Sequence, residues 1–252
     1  MSLNLKVKMS NYPNTKIHNT LPKILRHRSV SMPDTVALRD KDLGIWNEIT
    51  WKQYNNNVSY LALALSKRGF KTGDVIGLIG DNKPSWLYFE LAAQAVGGMS
   101  LGIYRDTLDE EVGYLINAAN VNFVYAEDQE QVDKIQTIKR PKNNKITMFY
   151  EDSRGLKELN DPHIVDMLEL MNEGQAIANK SPNKYNQMID KISTEQDAIL
   201  CTTSGTTSNP KLAMLPGGKF VEHVLRYLNV DPKNVEDEYV SVLPFPWIME
   251  QI

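Results

Sequence analysis

The fold is decided by residues 74–104, "DVIGLIGDNKPSWLYFELAAQAVGGMSLGIY". The stretch begins with the apolar run "DVIGLIG", which is typical of a strand covered on both faces. "PSWLYFELAAQAVGG" (84–98) begins with proline, ends in glycines and is apolar almost all round, which predicts a buried helix. "MSLGIY" (99–104) predicts a second strand. A strand, a helix and a strand in this order predict a parallel pair with a right-handed crossover.

The same alternation continues on both sides of this stretch. Downstream, we predict a helix around 108–119 from apolar spacing, a strand at 121–127, a helix at 128–137 and a strand at 145–150. Upstream, two strands at 34–40 and 45–50 form a hairpin, and a helix with a Thr50–Gln53 capping box ends at Gly69. The predicted fold class is α/β, with a largely parallel sheet flanked by helices.

The later part of the chain predicts a second unit. Asp161 and Pro162 predict the start of a helix that runs to about Ala178, and the polar stretch "NKSPNKYNQ" that follows predicts a connector. We therefore place an amino-terminal α/β subdomain at 1–193 and the truncated start of a second α/β subdomain at 194–252. The second unit is predicted to contain strands at 197–201 and 212–215, a helix around 220–228 and a strand within "EYVSVLPFPWIMEQI" (238–252).

Composition excludes several classes of function. The net charge of −3 does not favour nucleic acid as a partner. The single cysteine, Cys201, excludes an intrachain disulfide and fits a reducing compartment. No apolar run approaches the roughly 20 residues that span a bilayer. We expect a soluble, cytoplasmic protein without a transmembrane segment.

The stretch "CTTSGTTSNPKLAML" (201–215) is the candidate for a ligand-binding loop. Six of the seven residues from Thr202 to Ser208 carry a hydroxyl group, and the seventh is Gly205. Glycine lets the backbone approach a phosphate chain, hydroxyls donate hydrogen bonds, and Lys211 adds a movable positive charge. A flexible Ser/Thr/Gly linker is the alternative, although linkers seldom lie between two apolar strands. The Walker-type phosphate loop does not fit, since Pro210 stands at its second glycine.

This segment resembles the signature of the adenylate-forming (AMP-binding) superfamily, which includes acyl-CoA synthetases, peptide-synthetase adenylation domains and luciferases. The signature reads approximately [ST]-S-G-[ST]-T-G-x-P-K-G, and residues 203–212 match eight of its ten positions. Ser208 replaces the glycine, and Leu212 follows the lysine. Residues 50–104 resemble the amino-terminal half of these enzymes, and "LPFPWIMEQ" (243–251) resembles a later segment. The resemblance covers about residues 20–252. Within the superfamily, the sequence is most similar to long-chain acyl-CoA synthetases.

The resemblance implies a site and a reaction. A carboxylate would attack Mg-ATP to give an acyl-adenylate and pyrophosphate, and coenzyme A would then displace AMP. ATP, Mg²⁺ and coenzyme A are the implied cofactors, and a fatty acid or another carboxylate is the implied substrate. Trp247 would line the acyl site, although a tryptophan among apolar residues is more often core. The implied ATP phosphate-binding residues are Thr203, Ser204, Gly205, Thr206, Thr207 and Lys211.

Further expectations concern single residues and the length of the chain. Glu250 is expected to be a surface carboxylate, Cys201 a small buried thiol and not a nucleophile, and His223 a structural or surface residue. Relatives run to about twice this length or more, so adenine, ribose and Mg²⁺ contacts are expected beyond residue 252. No catalytic residue or metal ligand is therefore assigned. Apolar surface around "YVSVLPF" (239–245) predicts self-association.

The expected function is that of the amino-terminal fragment of an ATP-dependent long-chain fatty acid–CoA ligase that forms no acyl-adenylate alone. Two alternatives stay open. One is a ligase for another carboxylic acid, aryl or amino. The other is a non-catalytic nucleotide- or acyl-binding module.

Overall fold

The computed structural model describes residues 13–140, 145–203, 210–234 and 236–251. Within them the chain forms a two-stranded hairpin and a seven-stranded sheet. The elements before the large sheet are α1 (Leu21–Ser31), β1 (Val36–Asp42), β2 (Ile45–Thr50) and α2 (Trp51–Lys67).

The predicted hairpin and capping box are confirmed. β1 and β2 pair antiparallel. The Thr50 side chain accepts a hydrogen bond from the Gln53 backbone at 3.2 Å, and the Gln53 side chain accepts one from the Thr50 backbone at 2.8 Å. Two orphan amides of the first turn are thereby satisfied, which fixes where α2 begins.

The large sheet has the strand order β7-β6-β5-β3-β4-β8-β9. Every neighbouring pair is parallel except β8 with β9. The predicted α/β class is therefore confirmed. The elements in chain order are β3 (Val75–Ile79), α3 (Pro84–Val96), β4 (Met99–Ile103), α4 (Asp109–Ala118), β5 (Phe123–Ala126), α5 (Gln129–Gln136), β6 (Thr147–Tyr150), β7 (Ile164–Asp166), α6 (Met167–Lys180), α7 (Lys184–Asp190), β8 (Asp197–Thr203), β9 (Lys211–Pro216) and α8 (Gly217–Val230).

The core lies on both faces of this sheet. One cluster joins the sheet to α1, α2, α3, α6 and α7, and a second joins its other face to α4 and α5. All five residues of β3 are buried, as its continuous apolar sequence predicts. α8 packs on β8 through Phe220, Ala198 and Ile199.

The region before β8 differs from the prediction. The sequence did not predict β7, a three-residue strand in which Ile164 and Val165 pair with Met148 and Phe149 of β6. The helix therefore begins at Met167 and not near Asp161, and the Asp166 side chain caps it by accepting from the Leu168 amide at 2.7 Å. A strand this short leaves no periodic signal.

Two further predictions of local structure were wrong. The polar stretch 179–187 is not only a connector, because it contains the start of α7, where Tyr185 and Ile189 are buried. Residues 239–243 form no strand, and Tyr239, Val240 and Val242 are exposed. A strand needs a pairing partner, and no described strand forms a backbone ladder with this segment.

The division of the chain at residues 193 and 194 stays a prediction. At that point the sheet is continuous, since β8 pairs in parallel with β4 through Ser100 and Ile199 and through Leu101 and Leu200. β9 then closes the sheet as an antiparallel edge strand.

Close packing of α2 against α6 depends on Gly174. A methyl group there would overlap the backbone carbonyl of Tyr60 in α2. We expect Gly174→Ala to lower the free energy of unfolding by about 1–3 kcal/mol, since an overpacked contact outweighs the usual helical gain. Urea unfolding followed by circular dichroism measures this change.

Gly113→Ala in α4 is the matched control, because the nearest atoms, in the Ile138 side chain, lie 3.8 Å from the added carbon. We expect it to raise stability by about 0.5–1 kcal/mol. Equal stability gains for both variants would contradict the close α2–α6 contact.

Candidate functional site

The candidate site lies at the carboxyl edge of the large sheet. Because β3, β4, β5 and β8 are parallel, their last residues meet at one edge. Ligands of open α/β sheets bind outside this edge. The connection from β8 to β9, which contains the hydroxyl-rich sequence, leaves from the same edge.

Both ends of this connection are fixed. Thr203 and Lys211 stand opposite each other in the antiparallel pair, and the Thr203 hydroxyl donates to the Lys211 carbonyl at 3.4 Å. The Tyr114 hydroxyl of α4 donates to the Pro210 carbonyl at 3.2 Å. The side chains of Thr203 and Lys211 are exposed at the mouth of the loop. The other predicted phosphate-binding residues, Ser204, Gly205, Thr206 and Thr207, lie outside the described residues.

Ion pairs link neighbouring strand ends at this edge. Arg105, after β4, bridges Asp81, after β3, and Asp128, after β5, the second at 3.0 Å. The Lys83 ammonium lies 2.9 Å from a Glu127 oxygen. Partial burial alone would lower the pKa of Lys83, but its hydrogen bond to Glu127 and the nearby carboxylates raise it. Arg105 and Lys83 are thus held by carboxylates, and these ion pairs join the ends of neighbouring strands.

Sequence reasoning missed this cluster. Its residues lie far apart in the sequence, so no motif joins them. The available signal was positional: each charged residue follows closely after a strand, and the carboxyl ends of parallel strands meet.

A second polar network anchors the first turn of α3. The Tyr125 hydroxyl lies 2.8 Å from the Ser85 hydroxyl and 2.8 Å from Glu151, and the Ser85 hydroxyl donates to Glu151 at 2.5 Å. Burial raises the pKa of Tyr125 well above its ordinary value, so the phenol keeps its proton. The network ties α3 to the ends of β5 and β6.

In the last segment the structure reverses the expectation for Glu250 and excludes the alternative that Trp247 is a core residue. Trp247 is not core, since 48% of its surface is exposed. Glu250 is not a surface carboxylate, because only 8% of it is exposed and it accepts from the Tyr239 hydroxyl at 3.0 Å and the Leu243 amide at 3.1 Å. The role of Trp247 in an acyl site stays a prediction.

The surroundings of Cys201 and His223 indicate no catalytic role for either residue. Cys201 is half-buried in β8, and burial, with the Glu90 charge adding to it, raises the pKa of its thiol to about 11. The thiol is therefore protonated at neutral pH and a poor nucleophile. His223 is exposed on α8.

Glu90 is a buried acid that sequence reasoning did not single out. It lies in α3 and is 3% exposed, and the Ser100 hydroxyl of β4 donates to it at 2.8 Å. Burial raises the pKa of Glu90 to about 7, although the hydrogen bond from Ser100 lowers it. The sequence of α3 gave no sign that a hydroxyl group of β4 would bind this carboxyl.

Comparison with protein families identifies a match that covers the sheet and the loop. The family model described as AMP-binding enzyme matches residues 25–252, which include both the parallel sheet and the loop. The chain belongs to the AMP-binding enzyme family. The resemblance inferred from residues 203–212 is confirmed by this match.

Curated members of the AMP-binding family resemble the chain over most of its length. It is 28% identical over 239 residues to the long-chain-fatty-acid–CoA ligase ACSBG2 of Rattus norvegicus, covering 92% of this chain and 35% of that protein. It is 29% identical over 225 residues to ACSBG1 of Homo sapiens, also named a long-chain-fatty-acid–CoA ligase, covering 87% of this chain and 30% of that protein. The chain thus spans about a third of the length of these relatives.

A solved structure supports the fold. The crystal structure of VinN matches with a TM-score of 0.72 at 15% sequence identity, covering 93% of this chain and 53% of that one. At this identity the match shows a shared fold alone.

The buried Glu90 predicts a pH dependence of stability. In the unfolded chain its carboxyl ionises near 4.5, whereas the folded protein retains the proton up to about 7. The free energy of unfolding therefore falls as the pH rises through this window, by up to a few kcal/mol. We expect Glu90→Gln to be more stable than the unmodified chain at pH 8 and to lose this advantage at pH 4.5, as measured by urea unfolding.

Glu158→Gln is the control, because Glu158 is exposed. It should follow the pH profile of the unmodified chain. A Glu90→Gln variant whose stability differs from the unmodified chain by the same amount at both pH values would contradict a raised pKa.

Proposed function

We propose that the chain is the amino-terminal part of an ATP-dependent long-chain fatty acid–CoA ligase. In this reaction a fatty carboxylate and ATP give acyl-adenylate and pyrophosphate, and coenzyme A then gives acyl-CoA and AMP. The observation that carries the proposal is the Thr203–Lys211 pair at the carboxyl edge of the sheet, at the two ends of the signature loop. The names of the two curated relatives favour a fatty acid over an aryl or amino acid.

The exposed residues suit contact with ATP phosphates. The Thr203 hydroxyl can donate a hydrogen bond, and the Lys211 ammonium can stabilise the charge that develops on departing pyrophosphate. A charge-assisted contact of this kind is typically worth about 1.5–3 kcal/mol. Arg105 and Lys83 already have carboxylate partners, so Lys211 is the better candidate for phosphate.

Mg²⁺ and coenzyme A belong to the same proposal. Mg²⁺, bound together with ATP, would offset the negative charge of the phosphates, and coenzyme A would supply the thiol of the second half-reaction. We further expect these 252 residues alone to form no acyl-adenylate. Catalytic groups act as a unit, and the chain spans about a third of its curated relatives.

Isothermal titration with MgATP tests the loop. We expect the chain to bind MgATP and Lys211→Ala to weaken the affinity by about tenfold, because one charge-assisted contact is lost. Lys157→Ala is the control. Lys157 is exposed and lies between β6 and β7, on the opposite side of the sheet from β8 and β9.

Absence of MgATP affinity in the unmodified chain, together with no effect of Lys211→Ala, would overturn phosphate binding. It would favour the alternative of a non-catalytic module. Loss of affinity in Lys157→Ala to the same degree would show a general charge effect.

Self-association is a second expectation. Tyr239, Val240 and Val242 expose apolar surface in one short segment. We expect static light scattering at high concentration to give a molar mass above 28.6 kDa, and Val242→Asp to lower it. Val230→Asp is the control, since Val230 is exposed at the end of α8. A monomer at all concentrations would contradict this expectation.

The location of the protein stays a prediction. Among the described residues, no helix combines the length and the apolar character needed to cross a bilayer. The expected cytoplasmic location rests on composition and the single cysteine alone.

A further inference from the structure

Asn82 binds the carboxyl-terminal segment with its side-chain amide. Its nitrogen donates to the Leu243 carbonyl at 2.7 Å and to the Ser241 hydroxyl at 2.7 Å, and its oxygen accepts from the Phe245 amide at 3.0 Å. An amide side chain can both donate and accept hydrogen bonds toward one backbone stretch. Asn82 follows β3 closely, so this segment is tied to the central strand of the sheet.

Packing against α3 and β4 also holds the turn of residues 243–247. The ring of Phe245 is buried, and its centroid lies 5.1 Å from that of the fully buried Trp86 in α3. Pro246 lies on Gly102 of β4, where an added methyl carbon would be 2.8 Å from the Pro246 Cα atom. The turn therefore rests directly on the end of β4, and only glycine leaves room for it.

Contacts inside the segment fix its far side. Glu250 accepts from the Leu243 amide, and the Gln251 side chain donates to the Phe245 carbonyl at 2.7 Å. The Trp247 amide donates to the Pro244 carbonyl at 2.9 Å. The backbone around Trp247 is thus held at several points, while half of its side chain stays exposed.

A fixed backbone beneath an exposed tryptophan suits a side chain that meets a ligand. Indole surface left in water costs free energy, and holding it in place favours contact with an apolar partner. Asn82 is the only residue of β3 and its following loop, among the described residues, whose side chain hydrogen-bonds to this segment.

We propose that Asn82 is a positioning residue, whose amide fixes the turn of residues 243–247 on β3 and β4 and so sets the place of the Trp247 ring. The link to an acyl chain rests on the proposed function. If Trp247 contacts a fatty acid, Asn82 acts on that contact through the turn and does not touch the ligand.

Fluorine NMR of the chain labelled with 5-fluorotryptophan tests the positioning. The chain has four tryptophans, so four resonances are expected, and Trp247→Phe identifies that of Trp247. We expect Asn82→Ala to shift or broaden the Trp247 resonance while those of Trp46 and Trp51 keep their positions. Asn82→Asp keeps the acceptor for Phe245 but sets a carboxylate oxygen against the Leu243 carbonyl, so it should also move the Trp247 resonance.

Two further variants make the test independent of one substitution. Gly102→Ala displaces Pro246 from the opposite side and should also move the Trp247 resonance. Asn186→Ala, in exposed α7 surface, should leave all four resonances unchanged. A Trp247 resonance that stays in place in folded Asn82→Ala overturns the proposal. If that variant does not fold, unchanged resonances in Asn82→Asp and Gly102→Ala overturn it equally.

Titration with dodecanoate separates this proposal from the proposed function. If dodecanoate moves the Trp247 resonance, Asn82→Ala should weaken its affinity roughly 3- to 10-fold, as expected for lost hydrogen bonds acting through the turn. If dodecanoate has no effect on the unmodified chain but Asn82→Ala still moves Trp247, the positioning role is supported and the acyl role of Trp247 is overturned. Unchanged affinity in a variant whose Trp247 has moved also overturns the acyl role.

Discussion

The parallel pairing of β3 with both β4 and β5 is the constraint on which the rest of the molecule depends. β3 is buried on both faces, so its side chains must be apolar throughout and its neighbours must be joined by crossover helices. Parallel pairing brings the strand ends together at one edge. The charged cluster, the Asn82 contact and the mouth of the loop all lie at that edge because of this pairing.

Charge is distributed along the edge in an orderly way. Arg105 and Lys83 are held by carboxylates that follow neighbouring strands, and these pairs tie the strand ends together. Lys211 stands on the edge strand β9, beyond this cluster, with its side chain exposed. The proposed phosphate chain would therefore meet strand ends joined by ion pairs and, at Lys211, a long and movable cation.

Local pattern predicted the regular elements and the loop, whereas long-range contacts decided what it missed. β3, α3 and the capping box at Thr50 follow from short stretches of sequence, and Thr203 and Lys211 follow from a motif. β7 exists only because β6 offers it an edge, and residues 239–243 form no strand because no described strand pairs with them. Trp247 and Glu250 exchange their expected environments, since a hydrogen-bonded turn on β4 exposes the indole and encloses the carboxylate. Asn82 gave no signal at all, because its partners lie about 160 residues away.

The place of β8 in the sheet also bears on how the chain folds. β3, β4, β5 and β6 can assemble through crossovers of ordinary length, but β8 must pair with β4 across a span of 99 residues, from Ser100 to Ile199. The conformational entropy of closing that span is lost before the pairing returns any free energy. β9 is joined to the sheet only through β8, so the hydroxyl-rich connection between them reaches the edge of the sheet only when this longest-range pairing has formed. The part of the chain proposed to bind ATP therefore takes its place in the sheet through the pairing that closes the longest span of chain.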